Sequence, residues 1–189
     1  MKETRLIGIA GAGRGTGATH LAVQIANYLC SCRQRRTALL EWNDHGDLER
    51  IGRMFLKRPG KSSFRLLEVD YYRDGSAQRL AACMSGVYDD IVIDFGEIRD
   101  EICTEWYRCG LCILTAALND WKLESLLEWI SGKEKLKKGW VFCAAFGSET
   151  TRREVEKQFQ ISIKRIPFSE DSFSVGPAEM KWLSEIQNC

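Results

Sequence analysis

The sequence predicts an α/β fold: a three-layer αβα arrangement around a mostly parallel sheet of about seven strands. Three observations carry this reading. A short apolar run, Leu6 to Ala10, breaks into Gly11, Gly13, Gly15 and Gly17, and an amphipathic stretch follows with Leu21, Ile25, Tyr28, Leu29 and Cys32 at helical spacing. Further short apolar runs alternate with helical patterns, as expected of parallel strands covered by helices on both faces. No linker, repeat or low-complexity tract divides residues 1–189, and 189 residues with 44% apolar content can build one sizeable core, so a single domain is expected.

Taken in order, the first strand, glycine turn and helix form the arrangement that holds a phosphate on a helix N-terminus. Glycines serve there because backbone N–H groups approach the anion closely and some φ angles are positive. Arg36 to Glu41 reads as a second buried strand, leading into Trp42-Asn43-Asp44. After the His45-Gly46 turn, Asp47 is suited to cap a helix carrying Leu48, Ile51 and Phe55. Arg58 to Ser63 is a loop, Phe64 to Val69 a strand, and Ser76 the cap of a helix running through Met84. Tyr88 to Asp94 is a buried strand that leaves through an aspartate, and Leu111 to Thr115, Trp140 to Ala145 and Ile161 to Ile166 complete the strands. Helical faces are marked by Trp121, Leu123, Leu126, Leu127 and Ile130, by Val155 and Phe159, and by Met180, Leu183 and Ile186 within Pro177 to Gln187. Trp42 suits either the core or an interface.

A formal net charge of +1 gives no bulk field to recruit nucleic acid. Basic residues cluster locally, at Arg33, Arg35 and Arg36, at Lys57, Arg58 and Lys61, at Lys133, Lys135, Lys137 and Lys138, and at Arg152 and Arg153. These scattered groups read as solvated loops and helix ends, and they are the only support for DNA binding, which stays open. No charged-then-apolar leader and no apolar run of membrane-spanning length is present, so a cytoplasmic protein without membrane insertion is expected. The eight cysteines are then expected as reduced thiols, and the Cys109–Cys112 pair, without a second such pair or a histidine pair, as small buried hydrophobes.

Gly11-Ala-Gly-Arg-Gly-Thr-Gly17 resembles the cofactor loop of short-chain dehydrogenases, with Glu41 placed to meet a ribose. That resemblance implies an NAD(P)-binding protein but covers about one βαβ unit. No tyrosine here has the lysine four residues on that those enzymes need.

A second resemblance runs almost end to end. The chain is similar to the MinD/ParA group of deviant Walker P-loop ATPases, including the CpaE/TadZ-like proteins of pilus localisation. Their loop, Lys-Gly-Gly-x-Gly-Lys-Thr-Thr, corresponds to Gly13-Arg-Gly-Thr-Gly-Ala-Thr-His20. Their Asp-x-Asp followed by Gly-Asn/Asp-Leu corresponds to Glu41-Trp-Asn43 and Gly46-Asp-Leu48, and their Walker B strand to Tyr88-Asp-Asp-Ile-Val-Ile-Asp94. A late strand ending in Ile166-Pro167 completes the likeness.

The resemblance implies a P-loop NTPase-like fold in which Gly13, Arg14, Gly15, Thr16, Gly17, Ala18, Thr19 and His20 cradle the phosphates of ATP. Thr19 and Asp94 would ligate Mg²⁺, and Glu41 and Asp94 would be the catalytic carboxylates. Departures qualify this. Ala18 stands in place of the loop lysine, Gly13 in place of the lysine that crosses the dimer, and Asn43 in place of the second carboxylate. Loss of one transition-state charge contact already costs about 10²–10³ in rate. A degenerate member is therefore expected: hydrolysis lost or nearly so, ATP/Mg²⁺ binding optional, and a localisation or assembly role with protein partners of a secretion, pilus or positioning system. A homodimer is the family's expectation. The alternative is a working ATPase in which Arg14 supplies the missing cation.

Overall fold

A computed structural model describes residues 3–56, 62–131 and 140–187. Its strands are β1 (Arg5–Gly11), β2 (Thr37–Glu41), β3 (Ser63–Leu66), β4 (Val69–Tyr72), β5 (Asp90–Glu97), β6 (Leu111–Leu118), β7 (Trp140–Gly147) and β8 (Ile163–Arg165). The helices are α1 (Ala18–Asn27), α2 (Asp47–Phe55), α3 (Ala77–Met84), α4 (Cys103–Trp106), α5 (Asp120–Ser131), α6 (Glu149–Phe159) and α7 (Pro177–Ile186). A π-helical turn, Tyr28–Cys32, extends α1. The lysine and arginine groups at 57–61 and 133–138, and the start of the 58–63 loop, lie outside the described residues.

The strands form one sheet in the order β3-β4-β2-β5-β1-β6-β7-β8, parallel throughout except for the β3–β4 pair. Alternation along each strand sorts the core into two layers. Ile7 and Ile9 of β1, Leu39 of β2, Val92 of β5 and Ile113 of β6 face α1, α2 and α7. Leu6, Ala10, Ala38, Leu40, Ile91, Ile93, Phe95, Cys112 and Leu114 face α3, α4, α5 and α6. Every β1, β5 and β6 residue in these sets is buried, as a central parallel sheet requires. At the opposite end from the glycine loop, buried Asp90 accepts from Arg5 and Arg35, tying β1 and the α1–β2 connection to β5.

The αβα class holds, with eight strands rather than seven. The extra one comes from the Phe64–Val69 segment, which is not a single strand but a hairpin: Leu67 and Glu68 turn the chain between β3 and β4. Both have positive φ, 48° and 65°, the conformation of a two-residue hairpin turn normally filled by Asn-Gly. Sequence pattern missed it because neither residue is a turn former. Three further expectations are corrected. Gly46, in the left-handed region, caps α2, and Asp47 is its first residue. Phe55 and Trp121 are exposed rather than on buried helix faces. Cys32 is exposed on the π-helical turn, where the 3.6-residue period no longer applies.

Of the Cys109–Cys112 pair, Cys112 is buried among apolar side chains, as expected, with its thiol donating to the Trp106 carbonyl, whereas Cys109 is partly exposed; Cys83 and Cys143 are buried as well. Burial pushes the pKa of the Cys109 thiol up, favouring its protonated form. Trp42 packs against Phe95, with ring centroids 5.9 Å apart, on the core side of its alternatives. No helix among the described residues is long and apolar enough to cross a membrane.

The β3–β4 turn yields a stability prediction. Replacing Leu67→Asn together with Glu68→Gly relieves two strained φ angles and should raise unfolding free energy by about 1 kcal/mol. The midpoint of urea denaturation measures it. The exposed Arg65–Glu68 ion pair lost in the exchange contributes little.

Candidate functional site

The site is assembled at the carboxyl ends of β1, β2 and β5, where open α/β sheets bind ligands. Neighbouring strands hold the exit of β1 on both sides. The Ile98 N–H donates to the Gly11 carbonyl, and the Ala12 N–H donates to the Thr115 carbonyl at the β6 end, each at 2.8 Å. The loop then folds back on itself. Buried Thr16 donates to the Gly13 carbonyl, and its hydroxyl lies 2.9 Å from that of Thr115. This closure requires glycine at Gly11: a Cβ there would stand 2.3 Å from the Thr16 hydroxyl. Gly15 and Gly17 have φ of 69° and 91°, the left-handed region that glycine occupies without cost.

Gly17 is the N-cap of α1; no side chain caps the helix, and its first turn carries no acidic residue. The first N–H groups of the helix thus stay available to an anion, with the helix dipole behind them. They open onto a cleft of about 220 Å³ lined by Gly13, Arg14, Gly15, Thr16, Gly17, Ala18, Thr19 and His20, together with His45, Asp47, Gly96 and Glu97. All eight loop residues singled out from sequence therefore share one cavity wall. Arg14 is exposed there, and among the described residues no side-chain partner engages it.

A second cavity of about 330 Å³ shares Gly15, Gly17 and His20 with the first and continues along Leu21, Ala145, Phe146, Ile166, Pro167 and Phe168. Its wall is mainly apolar. Burial lowers the pKa of His20, against an opposing effect of Asp171, so the ring joining the two cavities is neutral at physiological pH.

Asp94 and Thr19 meet at the inner edge of the cleft. Asp94 is fully buried on β5; its Oδ1 accepts from the Gly96 N–H at 3.0 Å. Burial pushes its pKa up, and the nearby Thr19 hydroxyl and the Gly96 N–H pull it back. Its Oδ2 nevertheless has no partner with hydrogen-bond geometry. An unpaired buried carboxylate oxygen beside a hydroxyl is the oxygen donor set that Mg²⁺ takes. Asp94 and Thr19 fit the metal.

Glu41 is turned elsewhere. Its Oε1 accepts from the N–H groups of Asp47 and Leu48, at 2.6 and 3.2 Å, and so caps the first two residues of α2, directly after Gly46. Burial raises its pKa against those two bonds, and Asp94 adds to the rise. Asn43 is also occupied: its amide donates to the Asp94 carbonyl, and its Oδ1 accepts from the His45 N–H. Sequence reasoning did not anticipate the Thr115 staple, His45, Glu97 or the apolar cavity. It also missed Lys122, whose Nζ donates to the carbonyls of Arg14 and Gly15 at 3.0 and 3.4 Å.

Two predictions follow from these carboxylates. Glu41→Gln preserves an acceptor for α2 and should leave stability within about 0.5 kcal/mol, whereas Glu41→Ala removes the cap and should cost about 1–2 kcal/mol in thermal or urea unfolding. Asp94 and Glu41 both have folded pKa values above their ordinary ones, so their stabilising effect is full below about pH 4 and is lost as pH rises through the raised values. Asp94→Asn should therefore raise the stability of the metal-free protein near pH 7 by about 1 kcal/mol and flatten its decline above about pH 4. Urea titrations at the two pH values check both signs.

No protein-family model matches the chain, and no curated protein matches it in sequence. Solved structures match it along almost its whole length. A Borrelia burgdorferi B31 protein described as a plasmid partition protein, bound to AMPPNP, aligns with a TM-score of 0.67 at 15% identity over 98% of both chains. A ParA family ATPase from Chlorobium tepidum aligns at 0.63 and 15% identity, over 100% of this chain and 93% of that one. A chain of the Aquifex aeolicus MinC:MinD cell division protein complex aligns at 0.63 and 12% identity, over 97% of this chain and 86% of that one. The dinucleotide oxidoreductase alternative fails on strand order: in that fold the first two strands are neighbours, whereas β5 lies between β1 and β2 here. The chain has the αβα fold of the ParA and MinD P-loop ATPases.

Proposed function

We propose that this chain is a nucleotide-binding P-loop protein with little or no hydrolytic turnover, acting through protein partners as a localisation or assembly factor. The observation that carries the reading is the uncapped N-terminus of α1 opening, through left-handed Gly15 and Gly17, onto the 220 Å³ cleft. Backbone N–H groups there suit a phosphate chain, and the adjoining apolar cavity suits a nucleobase. The AMPPNP bound to the Borrelia relative supports ATP as the ligand class.

Lost turnover is supported by what the water-activating side chains are doing. Glu41 spends one carboxylate oxygen on α2, and Asn43 is an amide with both ends bonded. Neither is poised as a general base, and Ala18 brings no charge to the transferred phosphoryl group. Mg²⁺ bound at Thr19 and Asp94 would supply charge neutralisation for the phosphates; the loop N–H groups orient them. The MinC:MinD complex supports a protein partner for this fold, and exposed Phe168 and Phe146 at the cavity offer it apolar contact.

Calorimetric titration with Mg-ATP, with ADP and NADPH alongside, should give micromolar binding of ATP and none of NADPH. Phosphate release should stay at background, and Ala18→Lys should tighten binding without restoring release, because the base is still missing. Silence for all three ligands would contradict nucleotide binding, and steady phosphate release by the unaltered chain would contradict the loss of turnover.

A further inference from the structure

We propose that Lys122, carried by α5, supplies to the phosphate cleft the cation that Ala18 does not. The inference rests on the phosphate-binding reading above and names a residue for it. Nζ of Lys122 donates to the carbonyls of Arg14 and Gly15, two residues of the cleft wall, and a Cβ at Gly15 would lie 2.9 Å from it. The ammonium therefore rests on the rim of the glycine loop, delivered from a different element.

The base of this side chain is fixed. The Asn119 carbonyl accepts from the N–H groups of Lys122 and Leu123, forming the first turn of α5, and Leu126 and Ile130 anchor the helix in the core. Nζ donates to neutral carbonyls, and among the described side chains no carboxylate pairs with it. A phosphate oxygen offers a full charge where the carbonyls offer dipoles, and a charge-assisted bond is about twice as strong as a neutral one. Asp94 supplies an independent sign of a ligand, since its buried Oδ2 is unpartnered beside Thr19 of the same cleft. The cleft thus has a donor set for a cation and, with Lys122 and the α1 N-terminus, one for a polyphosphate.

Calorimetry with Mg-ATP and with inorganic tripolyphosphate tests this on the unaltered chain, Lys122→Gln, Lys122→Arg and the Ala18→Lys/Lys122→Gln pair. Lys122→Gln should weaken both ligands by about 10- to 100-fold. Lys122→Arg should stay within about tenfold, and Ala18→Lys should restore most of the loss. A lysine that merely staples the loop would not be rescued by a charge placed at position 18. Binding by Lys122→Gln within about twofold of the unaltered chain overturns the proposal, as does a failure of the unaltered chain to bind either ligand. If tripolyphosphate binds through Lys122 and ATP binds no better, the Lys122 assignment stands and the nucleotide reading falls.

Discussion

The rest of the site depends on how β1 hands over to α1. A parallel strand buried on both faces delivers Gly11 between two neighbours that each fix its backbone, Ile98 on one side and Thr115 on the other. The chain must then reverse within a few residues. It does so by closing Thr16 onto the Gly13 carbonyl and against Thr115, a closure that only a glycine at position 11 permits. Because those bonds lie within the loop and the sheet, they leave the N–H groups of the first α1 turn unspent. The free N–H groups at the head of α1 are a by-product of where the hydrogen bonds of the loop go.

That constraint divides the familiar parts of a P-loop into two sets. The phosphate-facing set is backbone, and the fold itself needs the turn that presents it. The charge-bearing and water-handling set is side chain, and two of its members are bonded within the protein. Glu41 closes the start of α2, and Asn43 bridges the end of β5 to His45. Asp94 is kept in a costly state, buried with a carboxylate oxygen unpartnered. Such strain is expected where a ligand completes a site rather than where a core is being filled.

Much of the fold was legible in the sequence because the signals were redundant. The strands β1, β2, β5, β6 and β7 are short apolar runs bounded by turn residues, and all fall where periodicity places them. Ser76 caps α3 by accepting from the Arg79 N–H, as its residue type indicates. The β3–β4 hairpin was not legible, because Leu67 and Glu68 take left-handed angles that the surrounding pairing imposes. Of the site, the glycine loop and the Thr19–Asp94 pair were legible, and Thr115, Lys122 and the apolar cavity were not. Gly11 is in register with Thr115, so the chain leaving β6 passes over the loop and brings Lys122 with it. That proximity is a product of strand order, 104 or more residues apart in sequence, and no local pattern encodes it.

Hydrogen–deuterium exchange with and without Mg-ATP tests the central claim, that the loop binds phosphate through its backbone, most directly. Bound Mg-ATP should bring new protection at Gly11 to His20, at the carboxyl end of β5 and at the first turn of α5, with the distant Asp90 end of the sheet unchanged. Exchange in the loop that is identical in the two states would contradict it.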